Sequence, residues 1–119
     1  MNKKKILVAD DDPAILEVIT LILEDAGYAL TTSRNGETVK KVQGELPDLI
    51  LLDIWMSGIN GSDICKHLKA KPTTKHIPIV MISANKDAKT IALEAGANDF
   101  LAKPFEITKL VSIVEKYAK

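Results

Sequence analysis

Residues 47–53 read PDLILLD, so four consecutive large aliphatic side chains lie between Pro47-Asp48 and a single carboxylate, Asp53. Such a run is typical of a short strand that is buried on both faces at the centre of a parallel sheet. In open α/β sheets, ligands bind in the crevice at the carboxyl ends of the strands. The segment therefore predicts either an acid held rigidly in that crevice or an ordinary polar turn after the strand. The rest of the chain decides between them.

The whole chain alternates apolar, strand-like runs with segments of helical periodicity. The strand-like runs are 5–9, 28–33, 47–53, 77–82 and 98–102. The helical segments are 13–26, 37–44, 62–70, about 86–95 and 106–118. No low-complexity linker and no convincing internal repeat breaks this alternation, which predicts an α/β fold with a parallel sheet.

The composition limits the class of protein. At 119 residues and 13.0 kDa, the chain suits one domain, residues 1–119, that buries a core without disulfides or a structural metal. A hydrophobic content of 46% with 4% aromatics predicts an aliphatic core and disfavours a base-stacking surface. The 16 basic and 16 acidic residues cancel, so no net field attracts nucleic acid or an anionic membrane. The sequence shows no signal peptide and no membrane-spanning run, which predicts a cytoplasmic location.

Helical spacing predicts which side chains face the core. The expected inward positions are Ile15, Val18, Ile19, Ile22 and Ala26 in the first helix, Ala88, Ile91, Ala92 and Ala95 near 86–95, and Ile107, Leu110, Val111, Val114 and Ala118 in the last. Leu16, Leu21 and Leu23 remain, and they either pack on neighbouring elements or form an apolar docking patch. The lone Cys65 is predicted to be a small buried hydrophobe.

Three acids follow the first strand, in Asp10-Asp11-Asp12-Pro13. Asp12 suits the N-cap of the first helix, because Pro13 is favourable in a first helical turn. Asp10 and Asp11 would meet Asp53 if the first and third strands are neighbours. Such a cluster of hard oxygen ligands suits Mg²⁺.

Polar side chains also follow the last two strands. Ser83 ends the fourth strand, where its hydroxyl either points into the crevice or caps the next helix. Lys103 follows the fifth strand directly and would place a cation among the acids. Trp55, two residues past Asp53, either packs over its loop as filler or covers the crevice. His67 and His76 lie in polar surroundings and are predicted to be surface residues.

Taken together, these strand ends resemble the receiver domain of two-component response regulators over essentially the whole chain. The matching motifs are Val8-Ala9-Asp10-Asp11, Leu51-Leu52-Asp53, Ile82-Ser83-Ala84 and Lys103-Pro104-Phe105. The resemblance implies a flavodoxin-like, doubly wound (βα)5 fold with a five-stranded parallel sheet in the order 2-1-3-4-5. It also implies a cis peptide bond between Lys103 and Pro104.

The resemblance implies a phosphoryl switch whose acceptor is Asp53. Asp10, Asp11, Asp53 and the backbone carbonyl of Trp55 would hold Mg²⁺, and Lys103 would neutralise a phosphoryl oxygen. Such a chain is a phospho-acceptor that assists its own phosphorylation and dephosphorylation, not an enzyme with a separate substrate.

The resemblance also implies how the signal leaves the site. Ser83 would move to hydrogen-bond the new phosphoryl group, and Phe100 would turn inward into the vacated space. The output would be a repacked surface on the fourth helix, the fourth and fifth strands and the fifth helix. Implied partners are a histidine kinase or histidine phosphotransfer domain, a downstream protein or output domain, and a second copy through the face of the fourth helix, fifth strand and fifth helix. Direct nucleic-acid or membrane binding is not expected.

Several positions depart from the family's usual residues. Ser57 replaces a common proline, Ser83 replaces a threonine, and Phe100 lacks a phenolic hydroxyl. Trp55 and Asn85 occupy positions that tune hydrolysis of the acyl phosphate in this family, and the bulk of Trp55 predicts slow self-dephosphorylation.

Three other functions compete with the phosphoryl switch. A flavodoxin-type cofactor binder is disfavoured, because Asp10-Asp11-Asp12 would repel a cofactor phosphate. A metal-dependent phosphatase would need a substrate cap and a second general acid, for which no segment is evident. The closest alternative is a degenerate receiver that acts as a phosphorylation-independent protein-binding module.

Overall fold

One parallel sheet organises the computed structural model, which describes residues 3–36, 39, 46–56, 59–85 and 88–118. Its strands are β1 (Lys5–Ala9), β2 (Ala29–Ser33), β3 (Leu49–Asp53), β6 (Ile79–Ser83) and β7 (Asp99–Ala102). Two short segments after β3 pair antiparallel as a hairpin, β4 (Trp55–Met56) and β5 (Ile59–Asn60). The strand order is β2-β1-β3-β6-β7. Since β6 and β7 are the fourth and fifth predicted strands, the predicted order is confirmed.

Four helices are present among the described residues. They are α1 (Pro13–Asp25), α2 (Gly61–Ala70), α3 (Ala88–Glu94) and α4 (Ile107–Tyr117). The helix predicted at 37–44 lies outside the described residues except for Val39, which is buried as expected. No helix in the described parts of the chain is long and apolar enough to cross a membrane.

The core lies on both faces of the sheet. Leu7, Ile50 and Leu52 point to one face, where they pack with side chains of α2 and α3. The neighbouring strand residues Ile6, Val8, Leu49 and Leu51 point to the opposite face, where α1 and α4 cover them. All five residues of β3 are buried, as expected for the central strand of a sheet with helices on both sides.

The predicted inward stripe of α1 was partly wrong. The buried residues are Leu16, Ile19 and Leu23, whereas Val18 is 48% exposed and Leu21 is 62% exposed. Ala26 is also exposed, and Ile15 and Ile22 are only partly buried. Apolar residues occupy so much of the circumference of α1 that two stripes fit a 3.6-residue period equally well.

Two smaller corrections concern α3 and α4. Ile107, predicted to be buried, is 60% exposed in the first turn of α4, whereas Leu110, Val114 and Ala118 are buried as predicted. Ile91 is 37% exposed, and α3 contacts the core through the predicted Ala88 and Ala92; Ala95, just after the helix, is buried as predicted. In both helices, an isoleucine at the edge of the predicted inward stripe is exposed. The space against the sheet is filled by the small alanines of α3 and by residues further along α4.

Three local predictions are confirmed, two at the ends of α1 and one after β7. Asp12 is the N-cap of α1 and accepts a hydrogen bond from the amide of Ala14 at 2.9 Å. Gly27 follows α1 with a φ of +99°, in the left-handed region that favours glycine. The Lys103-Pro104 peptide bond is cis, as predicted.

Candidate functional site

The carboxyl ends of β1 and β3 bring three acids together. Asp10 follows β1 directly, and Asp53 is the last residue of β3, the strand paired with β1. Both side chains are buried, and one carboxylate oxygen each of Asp10, Asp11 and Asp53 lie within 4.8 Å of one another. The convergence expected from the positions of these acids at neighbouring strand ends is therefore observed.

Lys103 brings a positive charge to the same group. Its Nζ lies 2.8 Å from Oδ2 of Asp10 and 3.8 Å from Oδ2 of Asp53. The backbone places it there, because the Lys103 amide donates a hydrogen bond to the carbonyl of Ser83 at 2.9 Å and so extends the β6–β7 pairing past its last residue. The shorter contact makes Asp10 the main partner of the lysine.

Asp10 is held on both of its carboxylate oxygens. Oδ1 accepts a hydrogen bond from the amide of Asp12 at 2.9 Å, and Oδ2 accepts one from Lys103. Its own amide donates to the carbonyl of Ser33 on β2 at 3.0 Å. These contacts fix the position of Asp10 in the site. The side chain of Asp12 instead caps α1 through the amide of Ala14.

Asp53 is in an environment that disfavours its charged form. Burial, and then the charge of Asp10, raise the pKa of Asp53 to about 6. The ammonium of Lys103 and a hydrogen bond from the backbone amide of Trp55 act in the opposite direction. Lys103 and Trp55 therefore do not fully offset the cost of placing a negative charge on the buried carboxylate of Asp53.

Ser83 lies beside Asp53 at the same edge of the sheet. Asp53 pairs with Ile82, so Ser83 is one residue further along the neighbouring strand β6. Its side chain is buried, and its Oγ accepts a hydrogen bond from the amide of Asn85 at 3.1 Å. Ser83 therefore lies at the carboxyl end of β6, as the crevice interpretation predicts, and its contact with Asn85 is to the loop after β6 and not to the described start of α3 at Ala88.

The two aromatic residues lie in different environments. Phe100, on β7, is partly buried and packs against the core cluster on the α2 and α3 face. Trp55, on β4, has a side chain that is 52% exposed, so it is not part of the core, and both roles proposed for it, over its loop or over the crevice, stay predictions. The sequence predicted a role for the Trp55 carbonyl, whereas the hydrogen bond from its amide to Asp53 was missed.

The donor set fits a small divalent cation. Three carboxylate oxygens within 4.8 Å are hard ligands of the kind that Mg²⁺ prefers, and Lys103 supplies one positive charge against three negative ones. Burial first, and then the charge of Asp10, raise the pKa of Asp53, and a divalent cation would favour its charged form. Among the described residues, no other group of three or more acidic, histidine or cysteine side chains meets in this way.

Other residues singled out in the sequence lie away from the acids. His67 and His76 are exposed, as predicted. Cys65 is buried under α2, and burial raises the pKa of its thiol to about 11, which fits the predicted apolar role. Asn85 is exposed beside Ser83. Ser57 and Lys86 lie outside the described residues.

Known proteins share both the sequence pattern and the fold. A family profile described as "Response regulator receiver domain" matches residues 6–115. The DNA-binding response regulator MtrA of Mycolicibacterium smegmatis is 38% identical over 115 residues, which cover 94% of this chain and 49% of that protein. The chain therefore spans about half the length of this relative.

Solved structures give the same result. The signal receiver domain of a signal transduction histidine kinase from Syntrophus aciditrophicus is 32% identical with a TM-score of 0.88, over 97% of this chain and 89% of that one. The receiver domain of the sensor histidine kinase PA1611 from Pseudomonas aeruginosa PAO1 is 27% identical with a TM-score of 0.85, over 98% of both chains. That structure has a magnesium ion coordinated in its active site cleft.

Proposed function

The chain belongs to the family of response regulator receiver domains, and on that premise we propose that Asp53 accepts a phosphoryl group from a phosphohistidine. The observation that carries the proposal is the meeting of Asp10, Asp11 and Asp53 within 4.8 Å, with Lys103 in contact with two of them. Asp53 is the member of this group that ends the central strand, all of whose residues are buried.

The proposed reaction is an in-line transfer between two nucleophiles. A carboxylate oxygen of Asp53 attacks phosphorus while the bond from phosphorus to the histidine nitrogen of the partner breaks, leaving an acyl phosphate on Asp53. With a pKa of about 6, Asp53 is mainly ionised at neutral pH and thus able to attack. Mg²⁺, held by Asp10, Asp11, Asp53 and the Trp55 carbonyl, would screen the repulsion between carboxylate and phosphoryl group.

The neighbouring side chains have distinct proposed roles. Lys103 neutralises a phosphoryl oxygen, and before the reaction it holds Asp10 and Asp53 together. Ser83 moves to donate its hydroxyl hydrogen to the new phosphoryl group; before the reaction its Oγ accepts a hydrogen bond from the amide of Asn85. Phe100, half-buried on the adjacent strand, turns inward when Ser83 moves.

The proposed partner on the input side is a histidine kinase or histidine phosphotransfer domain in the cytoplasm. On the output side, we place the changed surface on α3, β7 and α4, which contacts a downstream protein, an output domain or a second copy. Leu93 on α3 is 51% exposed and gives this surface an apolar contact. DNA binding is a property named for the relative from Mycolicibacterium smegmatis, and we do not assign it to this chain.

Incubation with acetyl phosphate and MgCl2, followed by intact mass measurement, tests the proposal. One phosphoryl adduct is expected in the wild type and in Asp25→Asn, a control at the exposed end of α1. No adduct is expected in Asp53→Asn or in the presence of EDTA. An unmodified wild type would contradict the proposal and leave the phosphorylation-independent binding module.

A further inference from the structure

Gly61, the first residue of α2, lies directly against the backbone that carries Asp53. It is buried, and its amide donates a hydrogen bond to the carbonyl of Ile54 at 2.6 Å. A Cβ atom at this position would overlap the carbonyl oxygen of Asp53 and lie 2.9 Å from Cα of Ile54. Both neighbours are backbone atoms, so no side-chain rotation could relieve the overlap. Any side chain at position 61 must therefore displace the end of β3 or the start of α2.

Ile54, the residue after Asp53, is held through both of its backbone polar groups. The amide of Ile54 donates to the carbonyl of Ile82 on β6 at 3.0 Å, and the carbonyl of Ile54 accepts from Gly61. The hairpin then returns the chain to Gly61 by pairing Trp55 with Asn60. Ile54 is thus fixed between the sheet and α2, and its position determines where the backbone of Trp55 begins.

Trp55 connects this backbone arrangement to the chemistry. Its amide donates a hydrogen bond to the carboxylate of Asp53, two residues earlier in the chain. The direction of that amide depends on the Ile54 peptide, which the contact with Gly61 fixes. A shift at position 61 is therefore transmitted through the single peptide unit between Ile54 and Trp55 to the carboxylate of Asp53.

The glycines after α1 and α3 serve a different purpose. Gly27 has a φ of +99°, and a Cβ there would meet nothing within 4 Å. Gly96 has a φ of +92°, and a Cβ there would be 3.4 Å from the flexible side chain of Lys69. These two positions need a left-handed backbone, whereas Gly61 is needed for close approach to β3. Gly27 also lies at the amino ends of the strands, before β2, whereas Asp53 lies at their carboxyl ends.

We propose that Gly61 is a positioning residue for Asp53: its missing side chain lets α2 press on β3, so that the Trp55 amide orients the acceptor carboxylate. The proposal rests on the proposed function, because it assigns Gly61 a role in the phosphoryl transfer to Asp53. Gly61 itself touches no reacting atom, and it acts through Ile54 and Trp55.

The test compares Gly61→Ala with Gly27→Ala. In Gly61→Ala, the carboxylate of Asp53 should be displaced by a fraction of an ångström to about one ångström. Adduct formation with acetyl phosphate at saturating MgCl2 should therefore be slower by about tenfold or more. Mg²⁺ affinity, followed by the fluorescence of Trp55, should fall by a similar factor. Gly27→Ala, strained at a remote position, should lose stability but keep both quantities within about twofold of the wild type.

A spectroscopic readout separates positioning from general destabilisation. In ¹H–¹⁵N spectra without metal, the Trp55 amide resonance should move in Gly61→Ala and stay in place in Gly27→Ala. Equal behaviour of the two variants in rate, affinity and spectrum would overturn the proposal. An absent adduct in the wild type would instead contradict the proposed function, while the shift of the Trp55 amide would still report on Gly61.

If Gly61→Ala does not fold, amide exchange in the wild type decides. The Gly61 and Trp55 amides should exchange with deuterium at least about 100-fold more slowly than in an unfolded chain, because both donate to fixed acceptors. Exchange of either amide near the unfolded rate would overturn the proposal.

Discussion

At the scale of single residues, the site has three negatively charged carboxylates and, among the described residues, only one nearby positive charge, that of Lys103. Asp10 is fixed by the Asp12 amide and by Lys103, so its charge is well stabilised. Asp53 has the longer contact with Lys103, at 3.8 Å, and its pKa is raised to about 6 by burial and by Asp10. The acid that we propose as the phospho-acceptor therefore has a raised pKa, which suits both cation binding and nucleophilic attack.

The first prediction concerns the pH dependence of cation binding by the metal-free protein. Below a pH of about 6, Asp53 holds a proton that Mg²⁺ must displace, so affinity should decrease as pH falls. The decrease should approach about tenfold per pH unit well below the pKa and disappear above a pH of about 7. Titration of Trp55 fluorescence with MgCl2 measures this directly. An affinity that stays constant down to a pH of about 5 would contradict the account.

A second prediction separates the two effects of Lys103. Lys103→Met keeps the length of the side chain and removes a positive charge that repels Mg²⁺ and stabilises the phosphoryl group. At a pH of about 8, where Asp53 is ionised, Mg²⁺ should bind more tightly, whereas acetyl phosphate should modify the protein about tenfold more slowly or worse.

The matched control for this variant is Lys109→Met, on an exposed position of α4. It should leave both the affinity and the rate unchanged. A Lys103→Met variant that loses Mg²⁺ affinity at this pH would show that the lysine holds the acids together more than it competes with the cation.

At the scale of elements, strands were easier to predict than helix faces. PDLILLD could be placed at the centre of the sheet because a strand buried on both faces needs an unbroken apolar run. For α1, the 3.6-residue period was compatible with either Val18 or Leu16 on the inner face, and packing against the sheet selected Leu16. The close approach of Gly61 was missed because it joins α2 to β3 through backbone contacts that the side-chain pattern does not encode.

A third prediction tests the separate role of Asp12 at the start of α1. Asp12→Ala removes the acceptor for the Ala14 amide and should lower the free energy of unfolding by about 1 kcal/mol. Asp12→Asn keeps a capping oxygen and should retain most of that stability. Urea denaturation measures both variants. Because Asp12 lies outside the acid group, neither variant should abolish the adduct with acetyl phosphate, and loss of the adduct in Asp12→Asn would contradict this assignment.

At the scale of the whole molecule, sheet topology is what turns scattered residues into a site. Asp10, Asp53, Ser83 and Lys103 are far apart in sequence, but each follows or ends a parallel strand, so all reach one edge. Their residue types and spacing were sufficient to predict this meeting and the family. The exposure of Trp55 and the hydrogen bond from its amide to Asp53 were not predictable, because they depend on how β4 is placed relative to β3 in space.

The most direct measurement locates the phosphoryl group on the chain. After reaction with acetyl phosphate and MgCl2, borohydride reduces an aspartyl phosphate to homoserine, and tandem mass spectrometry of the peptides identifies the reduced position. We predict homoserine at position 53 and unmodified aspartate at Asp10, Asp11 and Asp12. Reduction at any of those three residues, or at no aspartate in a protein that retains its fold, would contradict the assignment of Asp53 as the acceptor.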